Sequence, residues 1–285
     1  MPYWPPPRLT ERRWTRLSFE ATPKVSGWDA GDSFRLQRSS FWLSISFVMG
    51  SVANMTALFG SSYLAELERS GYALLRALLP EMRSLELAES IGQVVDISRI
   101  LPRSGLRSVQ SLRPTDTNQV GTNQSSGVFG YGRFPLHSDL AHWAVPPRYF
   151  FLRCVVGSED VLTQVLPCQH IVEMLGGAYL ERALFVARRK RFGTSGLVRG
   201  LSEFDGNMIL RWDPVFLKPL NRNAEVFSAV MSEFDWNEQV SEILLGRPGD
   251  TLIVDNWRTL HGRSEVSPKS TSRCVERIYF SEVFQ

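Results

Sequence analysis

The tripeptide His137-Ser138-Asp139, together with the distant His261, constrains this chain more than any other feature. On an extended segment side chains alternate with period two, so His137 and Asp139 point to the same side. A fold that carries His261 to that side puts two imidazoles and one carboxylate on one face of a metal ion. Such a set leaves coordination positions open and suits non-haem Fe(II) that handles O2. The chain has only four histidines, so two of them falling into this pattern is informative.

Composition sets the frame around that site. The 285 residues fit one large domain, or one domain with an appendage. Hydrophobic residues make up 43% and charged residues 21%, which supplies apolar material for a sizeable core. A net charge of +3 is only mildly basic. The run Arg188-Arg189-Lys190-Arg191 has no interleaved aromatics, so it reads as a solvated face that attracts anionic substrates, with no nucleic-acid partner. Three cysteines, Cys154, Cys168 and Cys274, lack C-x-x-C spacing. They form no disulfide framework and fit a reducing cytoplasm. The stretch Phe41 to Gly60 is uncharged, yet its serines, asparagine and glycines argue against a membrane span, and Arg12-Arg13 lies too far upstream of it for an export signal.

Residues 1–55 open on Pro2, Pro5, Pro6 and Pro7 and show no sustained period. They read as an N-terminal extension, flexible or an adornment on the core, or as the product of an upstream start codon with Met49 or Met55 the true start. The domain proper then spans 56–285. Helical periodicity covers Ser62 to Leu79, with Tyr72 to Arg76 a strand candidate after Gly71, and returns over Glu86 to Val95. Residues 102–133 are rich in Gly, Ser, Thr, Asn and Gln and read as loop, with a short strand at Ser108 to Leu112. Phe134 to Asp139 is extended, and Tyr149 to Val156 is a buried strand. Further on come a helix over Ile171 to Arg189 interrupted at Gly176-Gly177, a strand at Met208 to Trp212 and a helix over Ala224 to Leu245. Strands at Thr251 to Asp255 and Arg277 to Glu282 close the chain, with His261 delivered by the turn after the first of them. The pattern predicts a mainly β fold with flanking helices, a β-sandwich or jelly roll.

Arg273 and Arg277 follow His261 and, four apart on an extended segment, face the same side. A guanidinium clamps a carboxylate with two parallel hydrogen bonds, which suits a dicarboxylate cosubstrate. Three stretches, Phe134 to Trp143 with Pro146-Pro147-Arg148-Tyr149, Asp255-Asn256 to His261-Gly262-Arg263, and Arg273 to Tyr279, resemble the taurine dioxygenase family of Fe(II)/2-oxoglutarate-dependent oxygenases, which includes gamma-butyrobetaine hydroxylase-like enzymes. The likeness covers residues 58–285. It implies a double-stranded β-helix core, His137, Asp139 and His261 as iron ligands, and 2-oxoglutarate and O2 as cosubstrates. It implies that Arg273 binds the distal carboxylate of 2-oxoglutarate and that Arg277 lies near its other end or near an anionic substrate group. The family's threonine on 2-oxoglutarate follows a glycine-rich turn. Here the region reads Gly157-Ser-Glu-Asp-Val-Leu-Thr163-Gln164 without a double glycine. Thr163 is the candidate, and a shift of one residue selects Gln164 instead.

The implied reaction couples oxidative decarboxylation of 2-oxoglutarate to hydroxylation, or a related C–H oxidation, of a small molecule. An intact Asp139 argues against halogenation. A small polar or amino-acid-like metabolite is the preferred substrate by analogy, with specificity in the loops at Ser108 to Leu112, Thr122 to Ser126 and Gly193 to Asp205. Two other classes compete: a zinc-type metallohydrolase, and a degenerate, non-catalytic metal-binding homologue. Several residues keep two readings. His142 is a pocket wall or a core residue, and His170 is structural at a helix start. Asn256 holds the turn before His261 or is an ordinary turn asparagine. Trp143, Tyr131 and Phe134 pack or touch substrate. Arg211 and Arg263 form buried ion pairs or contact substrate. Oligomeric state is not legible, so a homo-oligomer stays open.

Overall fold

The computed structural model describes residues 62–100, 107–119, 125–189 and 196–284. The extension expected at residues 1–55, the stretch Phe41 to Gly60, and Lys190 and Arg191 lie outside them. In chain order the strands are β1 (Tyr72–Leu75), β2 (Gly92–Val94), β3 (Gln110–Leu112), β4 (Phe134–His137), β5 (Tyr149–Val156), β6 (Leu162–Pro167), β7 (Leu184–Ala187), β8 (Val198–Arg199), β9 (Leu201–Phe204), β10 (Asn207–Leu210), β11 (Leu217–Pro219), β12 (Ser241–Leu244), β13 (Thr251–Asp255), β14 (Thr259–Arg263) and β15 (Cys274–Val283). A six-stranded sheet runs β1-β13-β5-β15-β2, with β3 also on β15, and a four-stranded sheet runs β12-β6-β14-β4. Neighbours in both sheets pair antiparallel. The chain is therefore mainly β with flanking helices.

Period-two alternation sorts each central strand between two cores. Phe150, Leu152, Leu252, Val254 and Tyr279 of the larger sheet share one buried cluster with Val165 and Ile243 of the smaller, so these inner faces pack on each other. Their sequence neighbours Phe151, Ile253, Ile278 and Phe280 point outward. There they bury Tyr63 and Leu67 of the helix at 62–70 and Leu87, Ala88 and Ile91 of the helix Ser84–Ile91. On the other side Leu136, Leu166 and Leu260 pack beneath the helices Cys168–Leu175, Gly177–Arg182 and Arg222–Glu233. β13 is buried along its whole length, as expected of a strand covered on both faces. Metal-ligand candidates that alternate with Leu136 and Leu260 must then face the interior between the sheets.

Two glycines shape the approach to that interior. Gly71, at φ 81°, ends the helix at 62–70, its N–H donating to the Leu67 carbonyl at 2.9 Å. Gly262 lies where β14 meets β4, and a Cβ there would stand 2.7 Å from the Phe134 carbonyl oxygen. Only a residue without a side chain lets the two histidine-bearing strands come this close.

The structure corrects several sequence expectations. The helix expected to Leu79 stops at residue 70, because Gly71 caps it and β1 follows. The helix placed over Glu86 to Val95 runs Ser84–Ile91 and gives way to β2. The loop at 102–133 contains the helix Ser125–Phe129. The helix Ile171 to Arg189 ends at Arg182, and β7 follows, while the helix Ala224 to Leu245 ends at Glu233, with β12 beyond it. Where a strand replaces expected helix, a short apolar run fits either period, and pairing with a neighbouring strand decides. His261 follows the turn after β13 and lies within β14.

Candidate metal centre

His137 closes β4, and His261 lies directly opposite it on β14 as its register partner. Their ring centroids are 4.3 Å apart, with the Phe150 ring 4.7 Å from His261. Asp139 follows β4 and reaches back to both rings: its Oδ1 is 3.7 Å from His137 Nε2 and its Oδ2 is 3.8 Å from His261 Nε2. One ligand atom from each of the three lies within 4.8 Å of the others. The His-Ser-Asp segment is held because Ser138 N–H donates to the Trp212 carbonyl at 2.8 Å and Trp212 N–H to Ser138 Oγ at 3.1 Å. The expected trio is thus brought together on the inner face.

Protonation states follow from the surroundings. His137 Nδ1 sits 2.9 Å from the Pro135 carbonyl, which can only accept, so Nδ1 carries a proton and Nε2 is the ring nitrogen turned to the site. Burial pushes the His261 pKa down to about 3, helped by His137 and opposed by Asp139, so this imidazole is neutral near pH 7. Burial alone would raise the Asp139 pKa. Arg277, His261, His137 and the Tyr279 hydroxyl outweigh it and hold the carboxyl below its ordinary value. A neutral His261, an ionised Asp139 and a His137 that turns Nε2 to the same point suit a divalent metal, so the residues fit the ion that the pattern implies.

The arginines flank the trio differently. Arg277 Nη1 lies 2.7 Å from each Asp139 oxygen, and its Nη2 donates to Gln110 Oε1 at 2.8 Å. Arg273 is buried and has Thr163 Oγ1 3.5 Å from its Nη2. The Nε atoms of both arginines and Nε2 of Gln110 are buried without a partner. Buried donors left unmet are costly, and anionic oxygens would meet them. Thr163 shares the inner face with Val165, whereas Gln164 turns away to accept from Arg133 and donate to Glu242. Alternation along β6 therefore brings Thr163, and not Gln164, to the arginine.

Other residues also fall into place. His142 is buried against Phe216, ring centroids 5.1 Å apart, and is not among the clustered ligand atoms. His170 is half-buried in the helix Cys168–Leu175. The ion pairs considered for Arg211 and Arg263 are not formed among the described residues. Arg211 donates to Ser202 Oγ and the Ala144 carbonyl, and Arg263 to the Gly130 and Gly132 carbonyls and over the Phe134 ring. Trp143 is buried and Tyr131 exposed. Three contributors escaped the sequence reading. Tyr279 had a signal, since it stands two residues after Arg277 on one strand. Gln110 lay in a loop named only for specificity. Asp213 precedes Pro214 and carries only a turn signal, yet it is buried, accepts from Val215 and Phe216 N–H, and lies in the field of His137 and Asp139.

No family model matches the sequence. L-lysine 3-hydroxylase of Catenulispora acidiphila is 26% identical over 149 residues, which cover 47% of this chain and 41% of that protein. The match thus spans less than half of that relative. Among solved structures, asparagine oxygenase superposes with a TM-score of 0.57 at 19% identity over 76% of each chain. The non-haem iron oxygenase OrfP with Fe and alpha-ketoglutaric acid gives 0.56 at 16% identity over 81% of this chain and 80% of that one. OrfP with Fe, succinate and (3S)-hydroxy-L-Arg gives 0.55 at 16% identity over 80% and 81%. These likenesses establish the fold as one shared with non-haem iron oxygenases. The resemblance to the taurine dioxygenase family fits these relatives.

Proposed function

We propose that this chain is an Fe(II)/2-oxoglutarate-dependent hydroxylase acting on a small, amino-acid-like substrate, with a double-stranded β-helix core and its catalytic domain at residues 56–285. The observation that carries the proposal is the convergence of His137, Asp139 and His261 on the inner face, ligand atoms within 4.8 Å of one another. His137 Nε2, Asp139 and His261 Nε2 would hold the metal. Iron bound there would supply the coupling of 2-oxoglutarate decarboxylation by O2 to oxidation of a substrate C–H bond.

The chain's own residues would bind and orient. Arg273, with Thr163 beside it, would take the distal carboxylate of 2-oxoglutarate through a charge-assisted hydrogen bond in a buried setting. Arg277 would hold Asp139 ionised and stand near the other end of the cosubstrate or an anionic substrate group. Phe150 packs against His261 within an apolar cluster that also holds Trp143, which favours a site that excludes water. Burial raises the Asp213 pKa against the opposing pull of His137. A cationic substrate group beside Asp213 would draw it to the ionised form, in keeping with relatives named for lysine or holding a hydroxylated arginine. The competing metallohydrolase gives Arg273 and Thr163 no task.

Three buried, unpaired cysteines fit a reducing cytoplasm, and among the described residues no helix is long and apolar enough to cross a membrane. The test is succinate release across a panel of free amino acids, with Fe(II), 2-oxoglutarate and O2 supplied. Substrate-stimulated succinate formation supports the reading. Metal-dependent hydrolysis in the absence of O2 would replace it.

A further inference from the structure

Asp139 lies just beyond the end of β4, where no strand pairs with its backbone. The next residue, Leu140, has a φ of 54°, in the left-handed region that a leucine adopts unfavourably. The segment therefore does not hold this turn by its own preference, and its buried peptide groups need partners. One side chain supplies them. Asn256 Oδ1 accepts from the Asp139 N–H at 2.8 Å, and Asn256 Nδ2 donates to the Asp139 carbonyl at 3.0 Å and to the Pro147 carbonyl at 3.0 Å. The carboxamide does for Asp139 what a neighbouring strand does for a residue inside a ladder. Asn256 is itself fully buried, and its N–H is fixed on the Arg148 carbonyl at 2.7 Å. It stands on the turn between β13 and β14, and β14 carries His261.

We propose that Asn256 is a positioning residue that fixes the Asp139 backbone, and through it the carboxylate, relative to His261. Metal affinity and the geometry of the bound metal then depend on it. This rests on the metal reading above. The sequence suggests a role for Asn256 in the turn before His261, but its amide hydrogen bonds go to the other ligand's segment. Trp257 provides an internal comparison: its Nε1 donates to the Pro146 carbonyl at 2.9 Å, tying the same loop to the same turn without touching Asp139.

The experiment compares Asn256→Asp, Asn256→Ala and Trp257→Phe with the wild-type chain by anaerobic Fe(II) titration with 2-oxoglutarate present, following the visible absorption of the complex at a temperature where circular dichroism shows each protein folded. Asn256→Asp keeps the acceptor and loses the donors. Asn256→Ala admits water to satisfy the peptide, so the fold survives while the fixed geometry does not. Both are expected to bind Fe(II) roughly 10- to 100-fold more weakly, as loss of an outer partner of a ligand does, with an altered absorption band. Trp257→Phe is expected to match wild type on both readouts. Folded Asn256 variants with wild-type affinity and band overturn the proposal, and so does a Trp257→Phe variant that loses as much as they do. A wild-type chain that takes up no Fe(II) overturns the metal reading itself, and the proposal with it.

Discussion

His137 and His261 stand opposite each other across β4 and β14, with ring centroids 4.3 Å apart. Two strands distant in sequence thus present both imidazoles to one point, and Asp139 closes the third side. Removing either ring by His137→Ala or His261→Ala should weaken Fe(II) binding by more than about 100-fold, beyond the usual cost of losing an outer partner. The fold should survive, since the main clusters are apolar and do not include these rings. Anaerobic calorimetry and a thermal melt of the metal-free variants check both halves.

Arg273 meets Thr163 at 3.5 Å and leaves a buried N–H unmet. Arg273→Ala should raise the KM for 2-oxoglutarate roughly 10- to 150-fold, the equivalent of about 1.5–3 kcal/mol for a charged hydrogen-bond partner. The KM for the substrate should change far less. Steady-state succinate release at varied 2-oxoglutarate reads this, and turnover at the wild-type cosubstrate concentration would remove Arg273 from the site.

Gly262 allows β4 to lie against β14. A methyl group there meets the Phe134 carbonyl oxygen at 2.7 Å, and a backbone atom cannot swing aside. Gly262→Ala should therefore destabilise by about 1–3 kcal/mol, as overpacking generally does, and should weaken metal binding by separating the ligand strands. Urea midpoints and an Fe(II) titration on the same preparation measure the two effects. An unchanged midpoint would contradict the close approach.

Cys154, Cys168 and Cys274 are buried and unpaired. Burial pushes the Cys154 thiol up to about 11 and raises those of Cys168 and Cys274 as well. Thiolate is the reactive form, and a raised pKa makes it scarcer: at pH 8 roughly one Cys154 in a thousand would be ionised. A thiol-reactive dye should label none of the three quickly in the native protein and all three in urea. Rapid native labelling would show that this core opens.

How much of this was legible in the sequence depends on the kind of signal. The grouping of His137, Asp139 and His261 was readable because H-x-D on an extended segment obeys period two and stands in order and spacing with Asp255-Asn256 to Arg263 and the trailing arginines. The strands at Tyr149–Val156 and Thr251–Asp255 were readable from their apolar runs. β6 and β12 were not, because short runs such as Ser241–Leu244 fit either period and only their pairing partners settle the matter. Thr163 and Gln164 could not be ranked until the facing of β6 was known. For Asn256 the sequence leaves a role in the turn before His261 and an ordinary turn asparagine both open, since a turn's sequence preferences do not reveal that its side chain closes over another segment.

The central claim is that His137, Asp139 and His261 hold a ferrous ion beside 2-oxoglutarate. Its most direct test adds Fe(II) and 2-oxoglutarate to the chain without O2 and records the visible spectrum, with His261→Ala alongside. The expected result is a weak charge-transfer band in the wild-type chain that is absent from the variant. No band in the wild type, or the same band in both proteins, would contradict the account.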